Sequence, residues 1–106
     1  MKLEDVLISV WQQVLVDGRR SVEVDSIAFP VSKTSAKRLR TIHFLYKGER
    51  VTGIEQNPRT RSRWAELARQ GECVMQFSHK GRYIAVVHSG KLVCYPAWNH
   101  LLTRRD

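Results

Sequence analysis

Short turns between alternating segments constrain the fold of this chain more than any other sequence feature. Lys47-Gly48 separates two segments in which apolar residues recur at alternate positions, and Lys80-Gly81 and Ser89-Gly90 divide the segment Glu72–Tyr95 in the same way. Two-residue turns of this kind join strands that run antiparallel. The chain is therefore predicted to form hairpins, with a three-stranded meander from Glu72 to Tyr95.

Another hairpin is predicted before these turns. Val22 and Val24 alternate with a polar residue, and Asp25-Ser26 supplies the two-residue turn that leads into the next strand. Pro30 cannot donate a ladder hydrogen bond, which predicts an edge strand or a bulge. Gly53, inside the strand that follows Lys47-Gly48, predicts a bulge or a close contact.

Two helices are predicted from apolar spacing. The first has an apolar stripe and ends at Asp17-Gly18. The second lies near residues 58–70, with Asn57 as N-cap and Pro58 at its first position. A short closing helix is predicted after Pro96. The apolar residues behind these predictions are Leu3, Val6, Leu7, Val10, Trp11 and Val14 in the first helix, Trp64, Leu67 and Ala68 in the second, and Trp98, Leu101 and Leu102 in the third.

Together these elements predict a single α+β domain over residues 1–106. Its mostly antiparallel sheet has about six to seven short strands, built from hairpins and a C-terminal meander. The N-terminal helix and the helix near residues 58–70 cover it. A chain of 106 residues is long enough to bury a core without metals or disulfides.

The formal net charge of +8 is far from zero for so small a chain. Charge of this sign favours nucleic acid or another polyanion as partner, although a solubilising surface explains it equally simply. No apolar run is long enough to span a membrane. Glu4 and Asp5 occupy the place where a signal peptide would be basic, so a cytoplasmic location is expected.

The candidate anion-binding residues form three groups. One group is placed in the first turns of the second helix, and another lies on and after the loop between the first two hairpins. The third flanks Lys80-Gly81, where a tyrosine could stack on a base. These groups are Arg59, Arg61 and Arg63; Lys33, Lys37, Arg38 and Arg40; and Arg82 with Tyr83. Phosphate contact without base reading is the expected mode, and arginines that simply extend into water are the alternative.

No catalytic motif, cofactor site or metal site is predicted. Counting back from the meander turns places Ser78 opposite Tyr83, Met75 opposite Val86 and Cys73 opposite His88; counting from the next turn places His88 opposite Lys91 and Ala85 opposite Cys94. Cys73, His88 and Lys91 then form a nucleophile–base–cation cluster. A cysteine that acts as a small hydrophobic residue and a histidine that ends a strand near a turn are the simpler explanation. The two cysteines fall on opposite faces, which excludes a disulfide between them.

Two functions remain open. The first is a noncatalytic module that binds nucleic acid or another polyanion. The alternative is a protein-interaction or self-associating domain with no nucleic-acid role, which would pair through the N-terminal helix or a free sheet edge. An enzyme is not favoured, because the acids show no spacing that suggests a general acid and base.

Overall fold

A computed structural model describes residues 1–94. Helix α1 spans Leu3–Trp11 and continues as a π-helical segment over Gln12–Val16, and α2 spans Arg63–Arg69. The strands are β1 Ser21–Val24, β2 Ile27–Lys33, β3 Arg40–Tyr46, β4 Glu49–Glu55, β5 Val74–His79, β6 Arg82–His88 and β7 Lys91–Cys94. The predicted closing helix, with Trp98, Leu101 and Leu102, lies outside the described residues.

The seven strands form one antiparallel sheet in sequence order, from β1 to β7. Its four tight turns have positive φ at both central residues: 50° and 67° at Asp25-Ser26, 50° and 81° at Lys47-Gly48, 52° and 78° at Lys80-Gly81, and 51° and 70° at Ser89-Gly90. This left-handed pair matches the twist of antiparallel strands. The predicted α+β class, and all four predicted turns, are confirmed.

Helix α1 and the π-helical segment cover one face of the sheet. All six residues of the predicted apolar stripe are buried, and they pack on core residues that include Ile42, Phe44, Met75 and Phe77. Trp11 Nε1 donates to the carbonyl of Cys73 at 2.9 Å, and Tyr46 Oη donates to the carbonyl of Met1 at 3.1 Å. These two bonds attach both ends of α1 to the sheet.

Strand β2 changes partner at Pro30. Residues Ile27–Pro30 pair with β1, whereas Val31–Lys33 pair with β3. Ladder alternation directs the Pro30 nitrogen toward β3, where it has no hydrogen to donate. The strand is therefore internal rather than an edge strand, but its proline lies where pairing with β3 stops. Gly53 makes the predicted close contact, since a Cβ there would lie 2.8 Å from Phe77 Cε1.

The predicted start of α2 at Asn57-Pro58 is wrong. Ser62 is the N-cap, and its side chain accepts from Ala65 N at 3.1 Å. Asn57 Oδ1 instead accepts from Arg59 N at 2.9 Å and closes a separate turn. This local bond satisfies the polar side chain without a helix. Trp64 and Ala65 are the buried residues of α2.

The predicted register between β5 and β6 is correct next to the turn and wrong beyond it. Ser78 faces Tyr83 as expected, but a bulge between Phe77 and Ser78 shifts the remaining pairs by one residue. Met75 therefore faces Val87 rather than Val86, and His88 faces Val74 rather than Cys73. The predicted β6–β7 pairs are confirmed. Within residues 1–94, no helix is long and apolar enough to cross a membrane.

Candidate polyanion interface

Two of the predicted basic groups lie at the same end of the sheet. Thr41 near the start of β3 pairs with Ile54 near the end of β4, so the loop before β3 and the segment after β4 leave from adjacent positions. We call this surface the basic end. It consists of six exposed side chains: Lys33, Lys37, Arg38, Arg59, Arg61 and Arg63.

Arg40 belongs to the same end but is engaged in the fold. Its Nε lies 3.2 Å from Glu55 Oε1 and its Nη2 lies 2.9 Å from Glu55 Oε2, while Nη1 donates to the Val14 carbonyl at 3.1 Å. The hydrogen bond with Glu55 raises the pKa of Arg40 above its ordinary value. Arg40 thus joins the π-helical segment to β4, and the structure does not present it as a phosphate contact.

The same ion pair engages Glu55, an acid at the basic end of the sheet. Burial raises the pKa of Glu55, but the hydrogen bonds and charge of Arg40 outweigh it, so the net pKa is lowered. The charge of Lys33 lowers that pKa further, which places Lys33 within electrostatic reach of the carboxylate. Glu55 is therefore ionised and bonded, and it offers little repulsion to an incoming anion.

The segment before α2 holds its arginines on a well-bonded backbone. Thr60 Oγ1 donates to the Asn57 carbonyl at 3.0 Å, and Arg69 Nη1 donates to the carbonyls of Pro58 and Thr60 at 2.7 and 2.9 Å. Arg69 also pairs with Glu66 at 2.6 Å. Arg69 therefore takes up carbonyl groups and a carboxylate that would otherwise oppose a bound phosphate.

Arg63 is the arginine of this group that lies in α2. Its guanidinium carbon lies 4.4 Å from the centre of the Trp64 ring. Such stacking orients the planar guanidinium and leaves its N–H edge available to an oxyanion. Arg59 and Arg61 precede the helix, so their predicted position in its first turns is wrong.

The loop between β2 and β3 presents the other cations. Thr34 Oγ1 accepts from Leu39 N at 3.0 Å, and Arg38 N donates to the Thr34 carbonyl at 2.9 Å. Arg38 has a φ of 54°, which turns the chain back toward β3. Lys37 and Arg38 consequently project from a closed loop rather than from an extended connection.

Arg82 and Tyr83 lie at the opposite end of the sheet. They begin β6 directly after Lys80-Gly81, on the side where Lys47-Gly48 also lies. Tyr83 is 55% exposed. The structure therefore separates this predicted pair from the basic end.

The predicted Cys73–His88 cluster is not assembled. Cys73 Sγ lies 3.8 Å from the Leu15 carbonyl on the α1 side of the sheet. His88 packs on Trp64 at a ring separation of 5.6 Å, and its Nδ1 lies 3.7 Å from Glu72 Oε1. Residues 1–94 contain no group of three or more side chains that could hold a metal ion.

Two features of the interface were missed by sequence reasoning. The Arg40–Glu55 pair could have been predicted, because counting the same number of residues away from Lys47-Gly48 along each strand places these two residues opposite each other. Arg69 had no such signal, since its bonds depend on the turn before α2.

Comparison with protein families, curated proteins and solved structures finds no match to this chain.

Proposed function

We propose that this protein is a noncatalytic module that binds nucleic acid or another polyanion through the basic end. One observation carries the proposal. Six exposed cations from two segments distant in sequence gather at one end of the sheet, while the adjacent acids Glu55 and Glu66 are bonded to Arg40 and Arg69. The surface therefore presents positive charge that is not cancelled by those carboxylates.

The chemistry of the basic end favours contact with the phosphate backbone. Lysine and arginine bind phosphates as charges and hydrogen-bond donors, and such contacts carry no direct sequence information. Each phosphate neutralised in duplex DNA releases bound counterions, so affinity falls steeply as salt rises. Binding at the basic end should therefore depend strongly on salt and weakly on sequence.

The experiment compares two double variants of equal charge. Arg59→Gln with Arg61→Gln removes two cations from the basic end, and Lys2→Gln with Arg82→Gln removes two exposed cations from the opposite end. Fluorescence anisotropy with short duplex DNA, single-stranded DNA and RNA is measured over a range of NaCl concentrations. The first variant should lower the slope of log K against log salt on duplex DNA by about 2, since each lost contact removes about 0.9.

The two variants also provide the result that would defeat the proposal. Equal loss of affinity in both would mean that net charge alone draws the protein to nucleic acid. Amide NMR shifts in the unmodified protein give an independent reading. They should concentrate at residues 33–38 and 59–63, and shifts that are diffuse and vanish at near-physiological salt would contradict a specific interface.

Self-association is the alternative, and two contacts argue against association through α1 or through the β1 edge. The apolar stripe of α1 is already packed on the sheet. At the outer edge of β1, the Gln13 carboxamide bonds to both backbone groups of Glu23, accepting from N at 3.1 Å and donating to O at 3.2 Å. These bonds occupy groups that an added strand would need.

A further inference from the structure

A cleft lies between β4 and β5 at the end of the sheet opposite the basic end. Backbone pairing of the two strands extends to Thr52 and Ser78. Beyond this pair, a cavity of about 390 Å³ lies between the two turns, lined by residues 48–50, 52 and 78–81. We call it the β4–β5 cleft.

The lining of the cleft combines cations with hydroxyl groups. Arg50 and Lys80 are exposed cations on its two sides, and Ser78 contributes a hydroxyl at its base, where the Thr52 hydroxyl is bonded to His43 Nδ1 at 2.9 Å. Ladder alternation also directs the backbone N–H of Arg50 toward β5, because Thr52 two residues later pairs with Ser78. These are the donors that proteins use to hold tetrahedral oxyanions.

One carboxylate also lines the cleft, and it is engaged by a buried side chain. Glu49 Oε2 lies 2.7 Å from Nε2 of His79, which is 7% exposed. The imidazole N–H donates a hydrogen bond that stabilises the negative charge of this carboxylate. Among the described residues that line the cleft, two cations and one hydrogen-bonded carboxylate give a net positive charge. A divalent cation would meet one carboxylate from the described lining, flanked by Arg50 and Lys80, so an anion is the better fit.

We propose that the β4–β5 cleft binds the phosphate group of a small phosphate monoester. The cleft is wider than a bare phosphate requires, which leaves room for the group that carries it. Tyr83 lies opposite Ser78 and is 55% exposed, so its ring offers a stacking surface beside the phosphate position. This site is separate from the basic end and does not depend on polyanion binding there.

The first test is an amide NMR titration with inorganic phosphate, at constant ionic strength maintained with NaCl. Shifts that saturate in the range of about 1–10 mM at residues 48–50 and 78–81 are expected for a site of modest affinity. Parallel titrations with AMP and with adenosine separate the sources of the phosphate group. Tighter binding of AMP than of phosphate would identify a nucleotide site, and equal binding would identify a site for phosphate itself.

Two turn variants test the location. Lys80→Asn removes a cation of the cleft, while Lys47→Asn makes the same change in the other turn, which has the same left-handed geometry and whose lysine does not line the cleft. Asparagine suits this position of the turn, so both proteins should fold. Lys80→Asn should weaken phosphate binding about tenfold, as expected for loss of a charge-assisted contact, and Lys47→Asn should change it less than about twofold.

Glu49→Gln tests the sign of the charge that the cleft prefers. The amide can keep a hydrogen bond to His79 while it removes the negative charge, so phosphate should bind several-fold more tightly. Weaker phosphate binding by Glu49→Gln would overturn the proposal. So would adenosine-only binding, equal losses in the two lysine variants, or phosphate shifts confined to residues 33–38 and 59–63.

Discussion

A methyl group added at Gly53 tests how tightly the sheet and α1 are packed. In Gly53→Ala the new Cβ would lie 2.8 Å from Phe77 Cε1, 2.9 Å from Met75 Sδ and 3.1 Å from Ile42 Cγ2. All three neighbours are fully buried. Carbon atoms pack best at about 3.5–4.0 Å, so the Phe77 ring must move by more than half an ångström into a dense core.

Two opposing effects set the magnitude. Overpacking of a core costs about 1–3 kcal/mol. Alanine also restricts the unfolded chain, which stabilises the protein by about 0.4–1 kcal/mol where the backbone accepts it. The steric cost is larger, and Gly53→Ala should lower the free energy of unfolding by about 1–2 kcal/mol. For a domain of this size that corresponds to a fall in Tm of about 5–15 °C.

The test is a double-mutant cycle by urea denaturation. The cost of Gly53→Ala is measured once in the otherwise unmodified protein and once in a protein that also carries Phe77→Leu. Leucine removes the ring atom that the new Cβ would meet, so the cost of Gly53→Ala should be smaller there. A Gly53→Ala protein as stable as the unmodified one would refute the packing argument. An equal cost in both backgrounds would show that Phe77 is not the neighbour that resists the methyl group.

Three further predictions concern polar contacts. Since the net pKa of Glu55 is lowered, the stability from its pair with Arg40 should be present above about pH 4.5 and lost as pH falls below it. The free energy of unfolding should therefore fall less between neutral and acid pH in Glu55→Gln than in the unmodified protein. The same pH dependence in both proteins would contradict this. Ser62→Ala should cost about 1 kcal/mol in urea denaturation; no cost would place the N-cap elsewhere. Gln13→Ala should promote concentration-dependent association in light scattering, because it exposes the backbone groups of Glu23, and a strictly monomeric variant would show that Gln13 does not guard the edge.

The turns were predictable because their chemistry is local. Each combines two residues that must adopt positive φ, with a glycine second in three of the four cases. A two-residue turn also fixes the register of the strands that it joins, which is why the β3–β4 and β6–β7 pairs could be counted from Lys47-Gly48 and Ser89-Gly90. Nothing distant in the chain is needed for either result.

The bulge between β5 and β6 could not be found in the same way. Phe77 faces Ala85 and Ser78 faces Tyr83, so Ile84 is the extra residue of β6. All residues from Ile84 to Val87 are buried. Helix α1 packs on one face of the sheet, and Trp64 of α2 packs against Val74 and Val86 on the other face. A strand buried on both faces has no alternation of apolar and polar residues to reveal a one-residue shift.

The prediction of where α2 starts was wrong for a different reason. Asn57-Pro58 and Ser62 both provide suitable helix starts, and the choice between them depends on bonds beyond the local sequence. Arg69, at the end of α2, donates to the carbonyls of Pro58 and Thr60. Those carbonyls would point along the axis if the helix began at Asn57, so the arginine stabilises the separate turn.

The location of the basic end follows from one hairpin, and its charge follows from contacts that the hairpin does not specify. Pairing of β3 with β4 places the residues before Arg40 beside those after Glu55. Arg40 was grouped with the other cations because sequence gives it the same charge. Its bonds to Glu55 and to the Val14 carbonyl make it part of the scaffold. Cations at one end of a sheet thus divide into those that hold carboxylates and carbonyls and those left for a ligand, and tertiary contacts decide the division.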